Sequence, residues 1–193
     1  YARLLEPGSA ILDLMSSINS HLPASLGARV TGLGMNREEL EANPALHQRL
    51  VHDLNRSPKM PFPGASFDAV VCTVSVEYLT QPFAVFREVA RVLRPGGQFI
   101  VSFSNRWFPP KAVRIWTQLH EFERVGLVTQ WISEMNVHFN EEFRHYNPSD
   151  FPAYRQISRE ENVWRSFDQV ICSLDSVKPV DARKGWSDER LAA

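Results

Sequence analysis

The feature that most constrains this chain is the alternation, over its first two-thirds, of short apolar runs with amphipathic segments. Short apolar runs bounded by turn residues suit buried strands of a parallel sheet, and helical periods between them supply the crossovers. Strands are expected at 10–14, after the turn-forming Pro7-Gly8-Ser9, and at 29–32, 49–52, 67–73 and 98–103. The clearest helix is 82–93, where Phe83, Phe86, Val89, Ala90 and Leu93 recur at helical spacing with Arg87, Glu88 and Arg91 between them. A short helix is expected near 37–41, with Asn36 as its N-cap and Glu38 and Glu39 in its first turn. Another starts after Pro110 and runs through Val113, Ile115, Trp116 and Leu119. This pattern predicts an α/β fold, three layers (α/β/α) around a mostly parallel sheet.

Beyond residue 135 the pattern weakens. Residues 136–161 are polar and aromatic without a clear period, and 167–174 reads as a strand, so the final strands are not specified. The expected organisation is a core over 1–135, a divergent C-terminal part of the same domain over 136–178, and a flexible, solvated tail over 179–193.

Bulk properties narrow the function classes. A chain of 193 residues, 44% hydrophobic and 22% charged, fits one globular domain. Its net charge of −1 supplies no strong field for nucleic acid or an anionic membrane. No stretch approaches the roughly 18 apolar residues needed to span a bilayer. Cys72 and Cys172 show neither metal-ligand spacing nor a disulfide framework, and Cys72 lies in the apolar run 69–72 as a buried thiol would. The expectation is an intracellular protein, cytoplasmic or plastid, without metal; starting at Tyr1, the chain reads as a fragment or processed form.

In an open α/β sheet, ligands sit beyond the carboxyl ends of the strands. The residues to question are therefore Asp13-Leu14-Met15-Ser16-Ser17, Gly34-Met35-Asn36, Asp53-Leu54, Thr73-Val74-Ser75 and Ser104-Asn105-Arg106. A strand-end carboxylate can accept hydrogen bonds from an amine or amide, although Asp53 could equally make an Asx turn before Asn55, and Asp13 could cap the turn after it. Glu77 and Tyr78, just past the fourth strand, and Asn105, past the fifth, are the candidates for catalysis, with Glu77 as a base or merely an exposed carboxylate at a helix start. Arg106 and Trp107 could line the same mouth, and the aromatic stretch 131–154 could be a lid or simply core. Two rival constellations are weaker. Ser16 or Ser17 with His21 suggests a nucleophile and base, but no G-x-S-x-G elbow is present. Gly32-Leu33-Gly34 followed by Asp53 mimics a dinucleotide fingerprint, but Arg37 stands where its third glycine belongs.

The run Met60-Pro61-Phe62-Pro63-Gly64-Ala65-Ser66-Phe67-Asp68-Ala69-Val70, then Glu77-Tyr78-Leu79, then Arg91-Val92-Leu93-Arg94-Pro95-Gly96-Gly97 before a strand, resembles type 11 S-adenosylmethionine (SAM)-dependent methyltransferases of class I. The resemblance covers roughly residues 5–105, and its two halves together are far more specific than either alone. It implies a Rossmann-like, seven-stranded sheet with SAM at the first strands' carboxyl ends. Carried over by position, Asp13 opens the SAM loop, Asp53 accepts from the adenine amino group, and Leu14, Met15, Ser16, Gly34, Met35, Asn36, Leu54 and Ser75 complete the cofactor set. Two departures stand out. The loop Asp13-Leu14-Met15-Ser16-Ser17-Ile18-Asn19-Ser20 lacks the family's glycines, resembling a subgroup with a D-L-M-S-S loop, and Gly34 replaces the acid that would hold the ribose. Ser16, Ser17 and Asn36 could replace the lost hydrogen bonds. The resemblance implies methyl transfer to a small-molecule acceptor; the alternatives are a methyltransferase fold without turnover, acting as a binding or scaffold protein, a nucleotide-cofactor oxidoreductase, or a truncated chain lacking strands six and seven.

Overall fold

In the computed structural model, residues 1–104, 106–133, 137–144 and 167–177 are described, the last two segments as backbone only. Seven strands form one sheet: β1 (Ala10–Leu14), β2 (Arg29–Gly34), β3 (Gln48–Val51), β4 (Phe67–Thr73), β5 (Leu93–Ser104), β6 (Val137–Arg144) and β7 (Phe167–Val177). Their order is β3-β2-β1-β4-β5-β7-β6. The first five are parallel, β7 runs antiparallel to β5, and β6 antiparallel to β7. The order reverses between β1 and β4, which makes their carboxyl ends the switch point at which such sheets bind ligands.

Side-chain alternation divides the core between the sheet's two faces. Leu12, Leu14, Val70, Cys72, Phe99 and Val101 face α2 (Pro82–Val92) and α4 (Glu121–Ser133). Ile11, Val30, Ala69, Val71 and Ile100 face the other way, toward Leu26, Leu46 and Leu40 of α1 (Arg37–Ala42). The helix expected near 37–41 is α1, and Asn36 caps it, its Oδ1 accepting from the Glu38 and Glu39 amides. No helix among the described residues is long and apolar enough to cross a membrane.

Three expectations are corrected. The segment after Pro110 breaks into two helices, α3 (Arg114–Gln118) and α4, because Leu119 leaves helical geometry. β5 starts five residues earlier than expected, at Leu93, and a register shift opposite 67–69 absorbs Arg94-Pro95-Gly96-Gly97 as a bulge. The chain also has its sixth and seventh strands, so the truncated sheet is overturned. β6 escapes a reading for apolar runs because Val-His-Phe-Asn-Glu-Glu-Phe-Arg is mostly polar, as suits a strand at the sheet's edge.

The motif halves that carry the family resemblance turn out to be joined. Asp68 Oδ2 accepts from the Ala10 amide at the start of β1, while Asp68 Oδ1 accepts from Arg94 Nη1. Arg91 grips Glu88 through two nitrogens and also donates to the carbonyls of Phe62 and Met60. This fastens the proline-rich turn to α2.

Candidate functional site

At the carboxyl edge, the loop after β1 is built without glycine by placing Met15 in the left-handed region, at φ 57°. That turn sends the Ser16 amide to the Leu33 carbonyl, 2.9 Å away. The hydroxyls of Ser16 and Ser20 both donate to Asp13 Oδ2 at 2.6 Å. Asp13 is nearly fully buried, and burial pushes its carboxyl up to about 6 against the two hydroxyl bonds, which pull the other way. Asp13 therefore organises the loop from beneath rather than presenting its carboxylate to a ligand.

The residues that could have replaced lost cofactor contacts are engaged. Ser16 serves Asp13; Ser17 Oγ donates to Glu39 Oε2 at 2.6 Å; Asn36 caps α1 and donates from Nδ2 to Glu39 Oε1 at 3.0 Å. The Ser–His pair is not formed, since both hydroxyls donate to carboxylates and the His21 amide is bonded by Asn19. Gly32 and Gly34 are small for a packing reason. A Cβ on Gly32 would overlap the Leu46 side chain, and one on Gly34 would overlap the Ser16 carbonyl. The dinucleotide reading loses its basis, because these glycines admit protein, not phosphate.

Around the end of β3 the site is open. A cavity of about 530 Å³ is lined by Met35, Val51, His52, Asp53, Arg56 and Ser57. Asp53 does make the Asx turn, its Oδ1 accepting from the Asn55 and Arg56 amides, but this fixes the side chain and leaves Oδ2 without a donor among the described residues. A fixed carboxylate oxygen beside the exposed thioether of Met35 suits an amino-bearing planar ring. Leu14 and Leu54 are core side chains, so only their backbones can reach a ligand. Ser75 is buried, its Oγ 3.5 Å from Cys72 Sγ.

Past β4 the chain is strained: Val74, a β-branched residue, sits at φ 50°, its amide held by the Ser102 carbonyl at 2.7 Å. This kink turns the chain into the 3₁₀ turn of residues 76–78, which carries Glu77 inward. Glu77 is fully buried, and neither carboxylate oxygen has a hydrogen-bond partner. Burial raises its carboxyl to about 7, against the opposing pull of its own backbone amide, of the Tyr78 hydroxyl and of the positive charge of Arg124. The Tyr78 hydroxyl accepts from the Phe108 amide at 3.1 Å, and the Glu77 carbonyl accepts from the Val113 amide at 2.9 Å, so segment 106–113 is strapped over this point. Asn105 lies outside the described residues, as do 134–136, 145–166 and 178–193, hence also most of the expected lid and the expected tail.

Sequence reasoning singled out Asp53, Glu77 and Tyr78 but not Arg124 on α4, which lies near Glu77. Its guanidinium lies 3.9 Å from the centre of the Trp107 ring and 5.6 Å from that of Trp116, and its Nε donates to the Trp116 carbonyl. It also missed Tyr1, whose hydroxyl reaches Thr73 Oγ1 and Ser102 Oγ at the ends of β4 and β5.

Comparison with known proteins agrees with this architecture. The family described as "Methyltransferase domain" matches residues 16–101. A ubiquinone biosynthesis O-methyltransferase of Xanthomonas campestris pv. campestris is 31% identical over 115 residues, covering 54% of this chain and 47% of that protein. One of the same name from Proteus mirabilis is 28% identical over 167 residues, covering 73% and 66%. This chain thus spans about half to two-thirds of the length of these curated relatives. In fold, a SAM-dependent methyltransferase from Mesorhizobium loti superposes with a TM-score of 0.62 at 20% identity, covering 89% of this chain and 94% of that one. With its 3-2-1-4-5-7-6 sheet, the chain shares the fold of the SAM-dependent methyltransferases, and residues 16–101 match the methyltransferase domain family.

Proposed function

We propose that this protein transfers a methyl group from SAM to an oxygen of a small-molecule acceptor. The observation that carries the reading is the cavity at the end of β3, where Asp53 is fixed with one oxygen free beside Met35. There the residues fit the adenosine part of SAM: Asp53 Oδ2 would accept from the adenine amino group, and Met35 would cover the ring. At the end of β2, Ser17 and Asn36 are engaged with Glu39 rather than free to replace an acid at Gly34, so the hold on the cofactor is weighted toward its adenine. When bound, SAM supplies an activated methyl group on a sulfonium.

The chain's own contribution is placement and a proton acceptor. The kink at Val74 aims the 3₁₀ turn so that Glu77 lies past β4, across the switch point from Asp53. A hydroxyl acceptor loses its proton as its oxygen is methylated, and Glu77, whose carboxylate oxygens have no partner within hydrogen-bond distance among the described residues, takes that proton. With its carboxyl near 7, Glu77 is poised to cycle between the two forms at neutral pH. The oxygen acceptor is supported by the name that the relatives carry, O-methyltransferase.

The test is transfer of labelled methyl from SAM to hydroxylated aromatic compounds by wild type and Glu77→Gln. Transfer by wild type, lowered by about 10²-fold or more in the variant, supports the reading. Cofactor binding with no transfer to any acceptor favours the second reading, a methyltransferase fold without turnover, for which the absent acid at Gly34 is the observation.

A further inference from the structure

Met35 is 63% exposed, and it lines the cavity at the end of β3 together with Val51, His52, Asp53, Arg56 and Ser57. Its backbone is held on both sides. The Gly34 carbonyl accepts from the His52 amide at 2.8 Å, and the Ser16 carbonyl packs where a Cβ on Gly34 would stand. Asn36 caps α1 with its side chain, and its carbonyl accepts from the Leu40 amide at 3.1 Å. An exposed thioether is thus carried at the cavity mouth on a fixed stretch of chain. The other methionines with described side chains are less open: Met60 is 1% exposed, and Met15 is half-buried against the core.

Oxidation of a methionine follows its exposure and turns a flexible apolar side chain into a polar one. We infer that Met35 is an oxidation site whose state sets the affinity of this cavity for an adenosine-bearing ligand, full as the thioether and weakened as the sulfoxide. In the step, the Met35 sulfur attacks one oxygen of a peroxide. The O–O bond breaks and an S–O bond forms; the sulfur gives up two electrons, and the peroxide is reduced to water or an alcohol. The favourable contact between a thioether sulfur and an aromatic ring is lost. The new oxygen also brings partial negative charge into the cavity that holds the Asp53 carboxylate, and it is an acceptor on a wall shared with the exposed Arg56. Because Gly34 and Asn36 hold the backbone, the modified side chain stays at the mouth. The inference rests on the reading of this cavity as the adenosine site and adds a redox control of it.

The test treats the full chain with hydrogen peroxide, removes the peroxide with catalase, maps oxidation by peptide mass spectrometry and then titrates S-adenosylhomocysteine. Met35 is expected to oxidise ahead of Met15 and Met60, and affinity to fall with it by at least about fivefold, the size of a lost sulfur–ring contact. Methionine sulfoxide reductases A and B together should restore the affinity, and their thiol reductant alone should not. Sinefungin, a SAM analogue without a thioether of its own, should slow the oxidation of Met35 by covering it. Met35→Leu should show the same affinity before and after peroxide, whatever its starting value. Full oxidation of Met35 with affinity unchanged, or an equal loss of affinity in Met35→Leu, overturns the inference, as does Met60 oxidising first. Untreated wild type that binds no S-adenosylhomocysteine instead overturns the adenosine reading of the cavity.

Discussion

The carbonyl oxygen of Ser16 stands where a Cβ on residue 34 would have to go, so the loop after β1 fits the end of β2 only with Gly34 present. The left-handed Met15 that makes this loop possible and the glycine at the end of β2 are therefore one adaptation, not two. Gly34→Ala is expected to lower unfolding free energy by about 1–3 kcal/mol through overpacking, read from urea denaturation. Gly34→Asp is expected to do the same and to gain no cofactor affinity, since the new carboxylate displaces the loop. A neutral Gly34→Ala would show that the loop yields without cost.

Buried Asp13 gives stability a definite dependence on pH. Its carboxyl is raised in the folded state to about 6, so the folded protein holds its proton more tightly than the unfolded chain. The resulting stabilisation is complete at pH below the ordinary carboxylate value and is lost as pH rises through 6, by about 3 kcal/mol for a shift of this size. Urea denaturation between pH 4 and 8 should show this slope in wild type and a shallower one in Asp13→Asn.

For Glu77 the same sign applies, with the loss extending to about 7. Glu77→Gln removes a buried charge that has no hydrogen-bond partner, so the variant is expected to be more stable than wild type above pH 7 while transferring methyl far more slowly. Stability and turnover moving in opposite directions would separate a working carboxylate from a structural one. A variant that loses both would assign Glu77 to the scaffold.

Arg91 is the fastener of the proline-rich turn. It spans Glu88, Met60 and Phe62, and Arg91→Ala is expected to cost about 2–3 kcal/mol by stranding the Met60 and Phe62 carbonyls and the Glu88 carboxylate. Lysine cannot reproduce a fork that meets three groups at once, so Arg91→Lys should recover only a small part. Thermal unfolding of the two variants beside wild type measures both effects.

These contacts explain what was legible in the sequence. The motif halves around Asp68 and Arg91–Gly97 are recognisable because they are mutually fitted scaffold: Asp68 binds both Arg94 and the start of β1. Parallel strands buried on both faces announce themselves as apolar runs, as β4 does before Glu77, whereas β3 is largely exposed and only its Leu50-Val51 pair leads up to Asp53. Arg124 is not, since a single cation on an amphipathic helix carries no local mark of being turned inward onto Trp107. The closure of the loop over Gly34 was equally hidden, because it depends on a backbone turn at Met15 that its residue type does not suggest. β6 was missed for want of an apolar run.

The central claim is that this fold holds SAM through Asp53, and titration with S-adenosylhomocysteine tests it most directly. Asp53→Asn is the informative variant, because Oδ1 can still make the turn to Asn55 and Arg56 while the second oxygen becomes an amide nitrogen. Wild type should bind, with ligand at about 100 times Kd stabilising the fold by roughly 2.7 kcal/mol, and Asp53→Asn should bind about tenfold or more weakly at unchanged stability. A well-folded wild type that binds no S-adenosylhomocysteine, or a variant that binds it as well as wild type, would contradict the account.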